Sequence, residues 1–408
     1  MRTVRGFTIL LLLIVSSAVV DAQSADLYGN ISDALKAFAD PNTGLTSFPT
    51  LLVPMGGISE AMGTAYSAVA LDSGFIESNP AASALLKESE LALYHHSWIA
   101  DSNLEGVVYT VRFNDLGIGF GGKFLYVPFA AYNEWGAKGA TDYISETIGT
   151  VNVSYNFFSD YYFYGLAAGA NFKVAYRSIP VVFALNQSAL AVMADAGLQT
   201  SYNFLKFYNA RARNFSVGVV VKNLGVSSLV DEALPHVATA GFAWSPLRPW
   251  TIAVDGDLPF AFPGEPDPAG PYLAIGNTVN ITDFLSVQAG GVVSGYNPRI
   301  SIGAALAVGT LALNMNYNLD LSGSASPLDK FSVEARFVLG DSGRGDIARK
   351  VEDLYLQGIE EYAAGNYAGA IDLWQQVLAL DPKYTPAEHY LKVARDSLAL
   401  QQQAEGTQ

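Results

Sequence analysis

Residues 311–319 read Leu-Ala-Leu-Asn-Met-Asn-Tyr-Asn-Leu. In an extended chain successive side chains point to opposite faces, so Leu311, Leu313, Met315, Tyr317 and Leu319 share one face and Asn314, Asn316 and Asn318 the other. One face suits an apolar medium and the other tolerates water. The division recurs upstream in 151–157, where Val151, Val153, Tyr155 and Phe157 oppose Asn152, Ser154 and Asn156. It recurs downstream in 331–337, with Phe331, Val333, Ala335 and Phe337 against Ser332, Glu334 and Arg336. A soluble sandwich alternates in the same way, so the period alone leaves two β architectures open.

Composition and targeting separate them. Charged residues make up 15% of the 408, below the ~25% of ordinary soluble domains, while Tyr and Phe number 22 each. Arg2 and Arg5 precede an apolar run from Phe7 to Ile14, and Val20-Asp21-Ala22 ends in a small residue, which predicts an export signal over 1–22. Polar residues interrupt every later apolar run before it reaches the ~18 residues that a membrane helix needs, so any membrane crossing must use strands. A net charge of −15 without a cluster of Lys and Arg argues against nucleic acid as a partner. The absence of cysteine removes disulfides, zinc-thiolate sites and thiol nucleophiles.

Between Glu88 and Leu339 about fourteen strand candidates can be marked, an even number of the kind bacterial barrels use. They lie near 89–97, 103–113, 116–127, 146–157, 162–177, 189–203, 213–223, 236–245, 250–257, 271–279, 283–293, 299–308, 311–319 and 330–339. Asn114-Asp115, Ser159-Asp160, 245–249, Thr282-Asp283 and Gly309-Thr310 are tight turns in every second connection. The connections between them, 128–145, 178–188, 224–235, 258–270 and 320–329, are mostly longer. That sorting fits a barrel with short turns on one rim and long loops on the other, and a sandwich has no reason for it. Two connections depart from it: 204–212 is too long for a tight turn, and 294–298 is shorter than its neighbours on the long-loop side. Phe157, Phe158, Tyr161, Tyr162 and Phe163 around one short turn, and Trp244 and Trp250 around another, suit the level of lipid headgroups. The expected fold is mainly β: a transmembrane up-and-down antiparallel barrel of about fourteen strands over 88–340.

Residues 23–87 do not alternate. They contain Gly63, Ala65, Tyr66 and Ser67, then Asp72, then Asn79-Pro80-Ala81. Glycines permit close backbone approach, Asn79 can bond local backbone, and Pro80 fixes its own φ, so the segment can pack tightly in a confined space. Position by position these residues resemble the FadL-type outer-membrane transporters of long-chain fatty acids and other hydrophobic compounds, a group whose relatives include PorV-like secretion components. The chain is also similar to uncharacterised spirochaetal outer-membrane proteins regarded as FadL-like. The resemblance is specific over about 55–82 and only architectural over 88–339. It implies a plug or gate formed by Gly63, Ala65, Tyr66, Ser67, Asp72, Asn79, Pro80 and Ala81 inside a fourteen-stranded barrel.

The third strand candidate is crowded with Gly117, Gly119, Gly121 and Gly122 and is followed by Pro128. Glycine and proline weaken a ladder. By resemblance to FadL-like proteins, this strand is a candidate lateral opening; the alternative is that its glycines let the plug pack closely. Phe129, Tyr132 and Trp135, in the expected outer loop 128–145, form a candidate landing site for an apolar ligand.

After Leu339 the pattern becomes helical. Residues 341–346 read as a linker, 347–400 as helical and 401–408 as a disordered tail. Within 351–382 the order of small and large residues resembles one tetratricopeptide repeat. Gly358 and Ala370 allow two helices to approach, Leu354, Tyr367 and Trp374 fill the space between them, and Pro382 follows the second helix. A lone repeat leaves a stacking surface open, which either packs on a barrel rim or accepts a periplasmic protein partner. Neighbouring His95 and His96 point to opposite faces of a strand and cannot easily share a metal. No nucleophile motif is present, so no catalytic residue, metal or cofactor is expected. The sequence therefore points to an outer-membrane channel for fatty acids or other hydrophobic molecules with its helices in the periplasm, or to a scaffold that holds a protein partner through those helices.

Overall fold

The computed structural model describes residues 46–405 except 99–100, 133–134, 137, 182–186, 211, 230–232, 294–297 and 321–329. The expected signal at 1–22 and the first part of the expected plug lie outside the described residues. Fourteen strands form one closed antiparallel barrel in which each strand pairs with its neighbours in sequence and the first pairs with the last. They are β1 (Ser89–Ser97), β2 (Asn103–Phe113), β3 (Leu116–Tyr132), β4 (Lys138–Phe157), β5 (Leu166–Ser178), β6 (Ala189–Tyr202) and β7 (Phe215–Ser227). The ring continues with β8 (Val237–Leu247), β9 (Trp250–Pro259), β10 (Tyr272–Asn280), β11 (Leu285–Val293), β12 (Arg299–Val308), β13 (Leu311–Asp320) and β14 (Lys330–Gly340). Closure between β1 and β14, with Leu93 opposite Ala335, joins the first and last strands and so removes the edges of an open sheet around the ring.

The wall is inverted relative to a soluble protein. On β4, Val151, Val153, Tyr155 and Phe157 are exposed while Asn152, Ser154 and Asn156 are buried. On β13, Met315 and Tyr317 are exposed and Asn314, Asn316 and Asn318 buried; on β14, Phe331 and Phe337 are exposed and Ser332 and Glu334 buried. Every strand carries at least one exposed large apolar side chain. Each such side chain left in water forgoes roughly 1.5–3 kcal/mol of burial, so the exterior as a whole is poorly matched to water.

The expected strand boundaries shift by four residues or more at the end of β3, the start of β4, the start of β5 and the end of β7. The expected loop 128–145 is mostly strand, because β3 runs on to Tyr132 and β4 begins at Lys138. Phe129 and Tyr132 therefore lie in β3, and of the three expected loop residues only Trp135 sits in the turn, where it is 89% exposed. Pro128 is tolerated within this strand because β2 pairs with β3 only as far as Tyr126, so the missing N–H falls where β3 has a partner on the β4 side alone. The fifth strand starts at Leu166 rather than 162, since Asp160 accepts the N–H groups of Tyr162 and Phe163 at 2.7 and 2.6 Å and holds them in a turn.

Residues 46–88 pack against the inward faces of the strands and include two short helices, α1 (Gly57–Ala61) and α2 (Phe75–Ser78), followed by a 3-10 turn at Pro80–Ala84. Phe75 and Ile76 join Tyr94, Leu104 and Val108 in one buried cluster. Ile58, Met62 and Tyr66 join Ala243, Ala253 and Ala274 in another. Small inward residues on the wall make room for this segment. A Cβ on Gly117 would stand 2.3 Å from the Ser83 carbonyl carbon, and one on Gly290 2.2 Å from that of Met62.

Three helices follow the barrel: α3 (Arg344–Ala363), α4 (Tyr367–Leu380) and α5 (Thr385–Glu405). The expected linker shortens because α3 starts at Arg344, with Asp341 accepting from the N–H of Gly345 at 2.7 Å and of Gly343 at 2.9 Å. Those N–H groups hold the Asp341 carboxyl below its ordinary range. The α5 helix also extends through 401–405, where a disordered tail was expected. Trp374 lies over Gly358 and donates its Nε1–H to Tyr355 O at 3.3 Å, while Ala370 is fully buried beside it. Tyr384 donates to Glu352 at 2.9 Å; burial first, and this bond second, raise its phenol above the ordinary range.

The helices sit against the rim that carries the short turns. Lys383 Nζ donates to Asp115 Oδ2 at 2.5 Å and to Ser159 Oγ at 2.8 Å, the Tyr161 and Tyr384 rings meet edge-on at 4.8 Å, and Arg344 donates to Lys87 O at 2.6 Å.

Gly117→Val should lower the melting temperature of the purified protein sharply, because the added carbons meet the backbone of Ser83 and Ala84; overpacking of this kind costs about 1–3 kcal/mol or more. Gly149→Val should leave it within a few degrees, because nothing lies within 4 Å of a Cβ there. Equal effects would contradict the packing described.

Candidate functional site

Tyr66-Ser67, near the middle of the inner segment, is clamped by one carboxylate on β9. Asp255 Oδ2 accepts the backbone N–H of Tyr66 at 2.9 Å and of Ser67 at 2.8 Å, and its Oδ1 accepts the Ser67 hydroxyl at 2.7 Å. All three groups are buried. Bonds to a charged acceptor contribute roughly 1.5–3 kcal/mol each, and removing the acceptor would strand two backbone donors away from water.

A second clamp uses Asn79. Its Nδ2 donates to Ser67 O at 2.7 Å and to Leu198 O on β6 at 3.1 Å, while its Oδ1 accepts the Ala81 N–H at 3.1 Å and so caps the 3-10 turn. Asn152 on β4 donates to Pro80 O at 3.0 Å. Gly197 and Gly169 let β6 and β5 approach Asn79, Pro80 and Ala81, since a Cβ on either would collide with them. Gly63 has φ +64 and faces Gly291 of β11, a close approach of two backbones that only glycine permits.

The third clamp is ionic. Asp72 pairs with Arg336 of β14 at 2.8 Å and accepts the Tyr66 hydroxyl at 3.0 Å and the Gly74 N–H at 2.9 Å. Burial, and next the Asp72 charge, keep the Tyr66 phenol well above its ordinary range, so it remains a neutral donor. Glu90 of β1 lies 3.9 Å from Arg336 and accepts the Ser73 N–H at 3.0 Å. Glu60 on α1 accepts from Asn318 at 2.6 Å and from Ser332 at 2.5 Å.

The structure thus draws Tyr66, Ser67, Asp72 and Asn79 into one network, with Gly63, Pro80 and Ala81 at its close approaches and Ala65 buried among them. Sequence reading missed the wall residues Asp255, Arg336, Glu90 and Asn152 that hold this network, and the role of Glu60 on α1 as acceptor for Asn318 and Ser332. An available signal was ionisable residues on the polar face of strands in a chain otherwise sparing with charge.

On the long-loop side of this network lies a cavity of about 110 Å³. Leu51, Leu52, Val53, Met55, Ile148 and Val237 are among its apolar lining residues, and Lys222, Arg299 and Asp257 among its charged ones. A smaller cavity of about 40 Å³ lies under the loop 260–271, beside His236 and Phe260. Leu52, Val237 and Tyr272 line both cavities.

The profile of the Uncharacterised protein family (UPF0164) matches residues 25–342. The chain belongs to the UPF0164 family. A UPF0164 protein of Treponema pallidum (strain Nichols) is 30% identical over 370 residues, covering 88% of this chain and 84% of the relative. A second from the same organism is 24% identical over 384 residues, covering 85% and 75%. Among solved structures, this UPF0164 chain is similar to the Pseudomonas putida toluene transporter TodX, with a TM-score of 0.44 and 14% identity over 69% of this chain and 96% of that one. It is also similar to the KdgM porin, with a TM-score of 0.32 and 9% identity over 61% and 99%.

The other expected site residues of this UPF0164 member are dispersed. Gly117, Gly119 and Gly121 face inward against Ser83, Phe75 and Ile76, and Gly122 meets Val107 instead. The β2–β3 and β3–β4 ladders run without interruption across all four glycines. Phe129 and Trp135 lie at the far rim, away from the clamps, and the Leu354, Gly358, Tyr367, Ala370, Trp374 and Pro382 set belongs to the helices. His95 and His96 diverge as expected: His95 Nδ1 lies 2.9 Å from Glu105 on the exposed side, and His96 Nδ1 lies 3.0 Å from Pro54 O on the buried side.

Asp255→Ala should destabilise the folded protein by about 3–5 kcal/mol through the two orphaned N–H groups and the lost hydroxyl bond. It should also open the inner segment near Ser67 to limited proteolysis while the barrel stays protected, and a cleavage pattern unchanged from wild type would contradict the clamp.

Proposed function

We propose that this UPF0164 member is an outer-membrane channel through which hydrophobic small molecules, long-chain fatty acids among them, diffuse past an N-terminal plug. The observation that carries the reading is the inverted wall, with apolar side chains outward on all fourteen strands and polar ones turned toward an inner segment held by three clamps. An apolar exterior matches lipid, and a closed barrel satisfies its backbone without water, the condition for crossing a membrane with strands. No helix among the described residues is long and apolar enough to cross. Residues 46–88 act as the plug, and the clamp residues Asp255, Asn79, Asp72 and Arg336 act as its gate.

The two adjoining cavities supply a route. An apolar molecule reaching the long-loop rim enters beside Phe260, passes Leu52, Val237 and Tyr272, and lodges against Leu51 and Ile148, with Lys222 and Arg299 near an acidic head group. Concave sites of mainly apolar lining with a few placed polar groups are the usual form of small-molecule sites. The uninterrupted ladders around Gly119–Gly122 favour passage along the lumen in this closed state, and sideways exit there would need β3 to part from a neighbour.

A second reading, a scaffold for a periplasmic protein, draws on the exposed Ile347, Leu356 and Leu400 of the tetratricopeptide-like helices. The rim contacts of Lys383, Tyr161 and Arg344 favour a fixed cap instead.

Radiolabelled oleate should bind the purified, detergent-folded protein saturably, and Leu52→Asp should weaken binding by roughly tenfold or more by placing a charge on the route. Deleting 341–408 should leave this binding unchanged. Absence of saturable binding to folded wild-type protein would overturn the reading.

A further inference from the structure

The connection between β6 and β7 is the longest on the short-turn rim. Residues 203–214 read Asn-Phe-Leu-Lys-Phe-Tyr-Asn-Ala-Arg-Ala-Arg-Asn, three cations and no carboxylate in a chain of net charge −15. Arg211 lies outside the described residues.

The loop leans over the outer wall. Phe204 packs edge-on to Phe215 at 5.3 Å, Phe215 stacks on Phe242 at 5.7 Å, and Phe242 is exposed on the apolar exterior. Trp244 Nε1 donates to Phe204 O at 3.1 Å and the Phe207 N–H to Pro246 O at 3.1 Å, which ties the loop to the β8–β9 turn. Phe204, Leu205 and Phe207 remain exposed at 48%, 57% and 67%.

Cations gather around this apolar surface. Lys206 donates to Ala210 O and to Ala212 O, and its ammonium lies 5.0 Å from the Tyr208 ring centre. Arg248, from the neighbouring turn, donates one N–H to Asn209 O at 2.7 Å, while its guanidinium remains exposed 5.9 Å from the same ring. Arg213 donates to Tyr162 O and lies over Tyr164 at 4.7 Å. Asp160, on the adjacent turn, accepts the N–H groups of Tyr162 and Phe163 at its Oδ1.

We propose that Phe204, Leu205, Lys206, Phe207 and Arg213, with Arg248, form a binding site for anionic phospholipid in the leaflet that surrounds the short-turn rim. Phe204, Leu205 and Phe207 enter the acyl boundary, and Lys206, Arg213 and Arg248 meet the headgroup phosphate. Apolar side chains flanked by cations favour this depth, and a free phosphate would give the exposed Phe and Leu side chains no partner. The proposal rests on the membrane reading above.

Full-length protein carrying W98F, W135F and W374F, which leaves Trp244 and Trp250 as its tryptophans, and reconstituted in vesicles of phosphatidylcholine mixed with phosphatidylglycerol, with one or the other lipid brominated, provides the test, read as quenching of tryptophan emission. Brominated phosphatidylglycerol should quench more than brominated phosphatidylcholine at equal mole fraction. The excess should fall by roughly twofold or more in K206Q/R248Q and at high salt, and return in K206R/R248K. Equal quenching by both lipids, or an excess insensitive to the charge variants, would overturn the lipid site with the barrel still inserted. Quenching by neither lipid would overturn the membrane reading beneath it.

Discussion

A closed wall with apolar side chains outward turns its polar side chains onto a shared interior, and that interior must be satisfied without bulk water. This constraint organises the rest of the molecule. Asn152, Asp255, Asn316, Asn318, Glu334 and Arg336 are all directed inward, where buried polar groups are costly unless bonded. The inner segment brings the matching donors, acceptors and charges. It is held by hydrogen bonds and ion pairs to the wall as well as by its apolar contacts.

That balance bears on how the segment could move. Apolar contacts hold the segment in proportion to buried area, whereas the clamps of Asp255 on Tyr66-Ser67 and Arg336 on Asp72 are linked through the Tyr66 hydroxyl and hold it as a network. The cavity beside these clamps carries both apolar and charged lining. Ser67 and Asp255, which form one of the clamps, also line this cavity, so its walls and the groups that hold the segment are in part the same residues. The C-terminal helices add rigidity at the opposite rim, where Lys383 bridges two turns.

Much of this was legible in the residues, and the part that was not has physical reasons. The period-two alternation at 151–157 and 311–319 marked both the strands and the two environments they separate, and all fourteen strands fall within or around the expected windows. Boundaries failed at 128–145, where a loop was expected after Pro128 but two strands continue past their neighbours on pairing between themselves. The Gly63 to Ala81 pattern stood out because its residue types are unusual together. Its partners Asp255 and Arg336 did not, since contacts between residues some 190 and 260 positions apart leave no local periodicity. The helix pair was readable from Gly358 and Trp374, but its seat on Asp115 and Ser159 was not, because a single lysine in a turn carries no pattern.

The inverted wall is most directly tested by a single-cysteine spin-label scan along β4 in reconstituted vesicles, which is practical because the chain has no cysteine of its own. Labels at 151, 153, 155 and 157 should be strongly relaxed by oxygen and little by a water-soluble nickel chelate, while labels at 152, 154 and 156 should be shielded from both. Equal accessibility of odd and even positions, or odd positions open to the aqueous relaxant, would contradict a lipid-facing barrel closed around its own N-terminal segment.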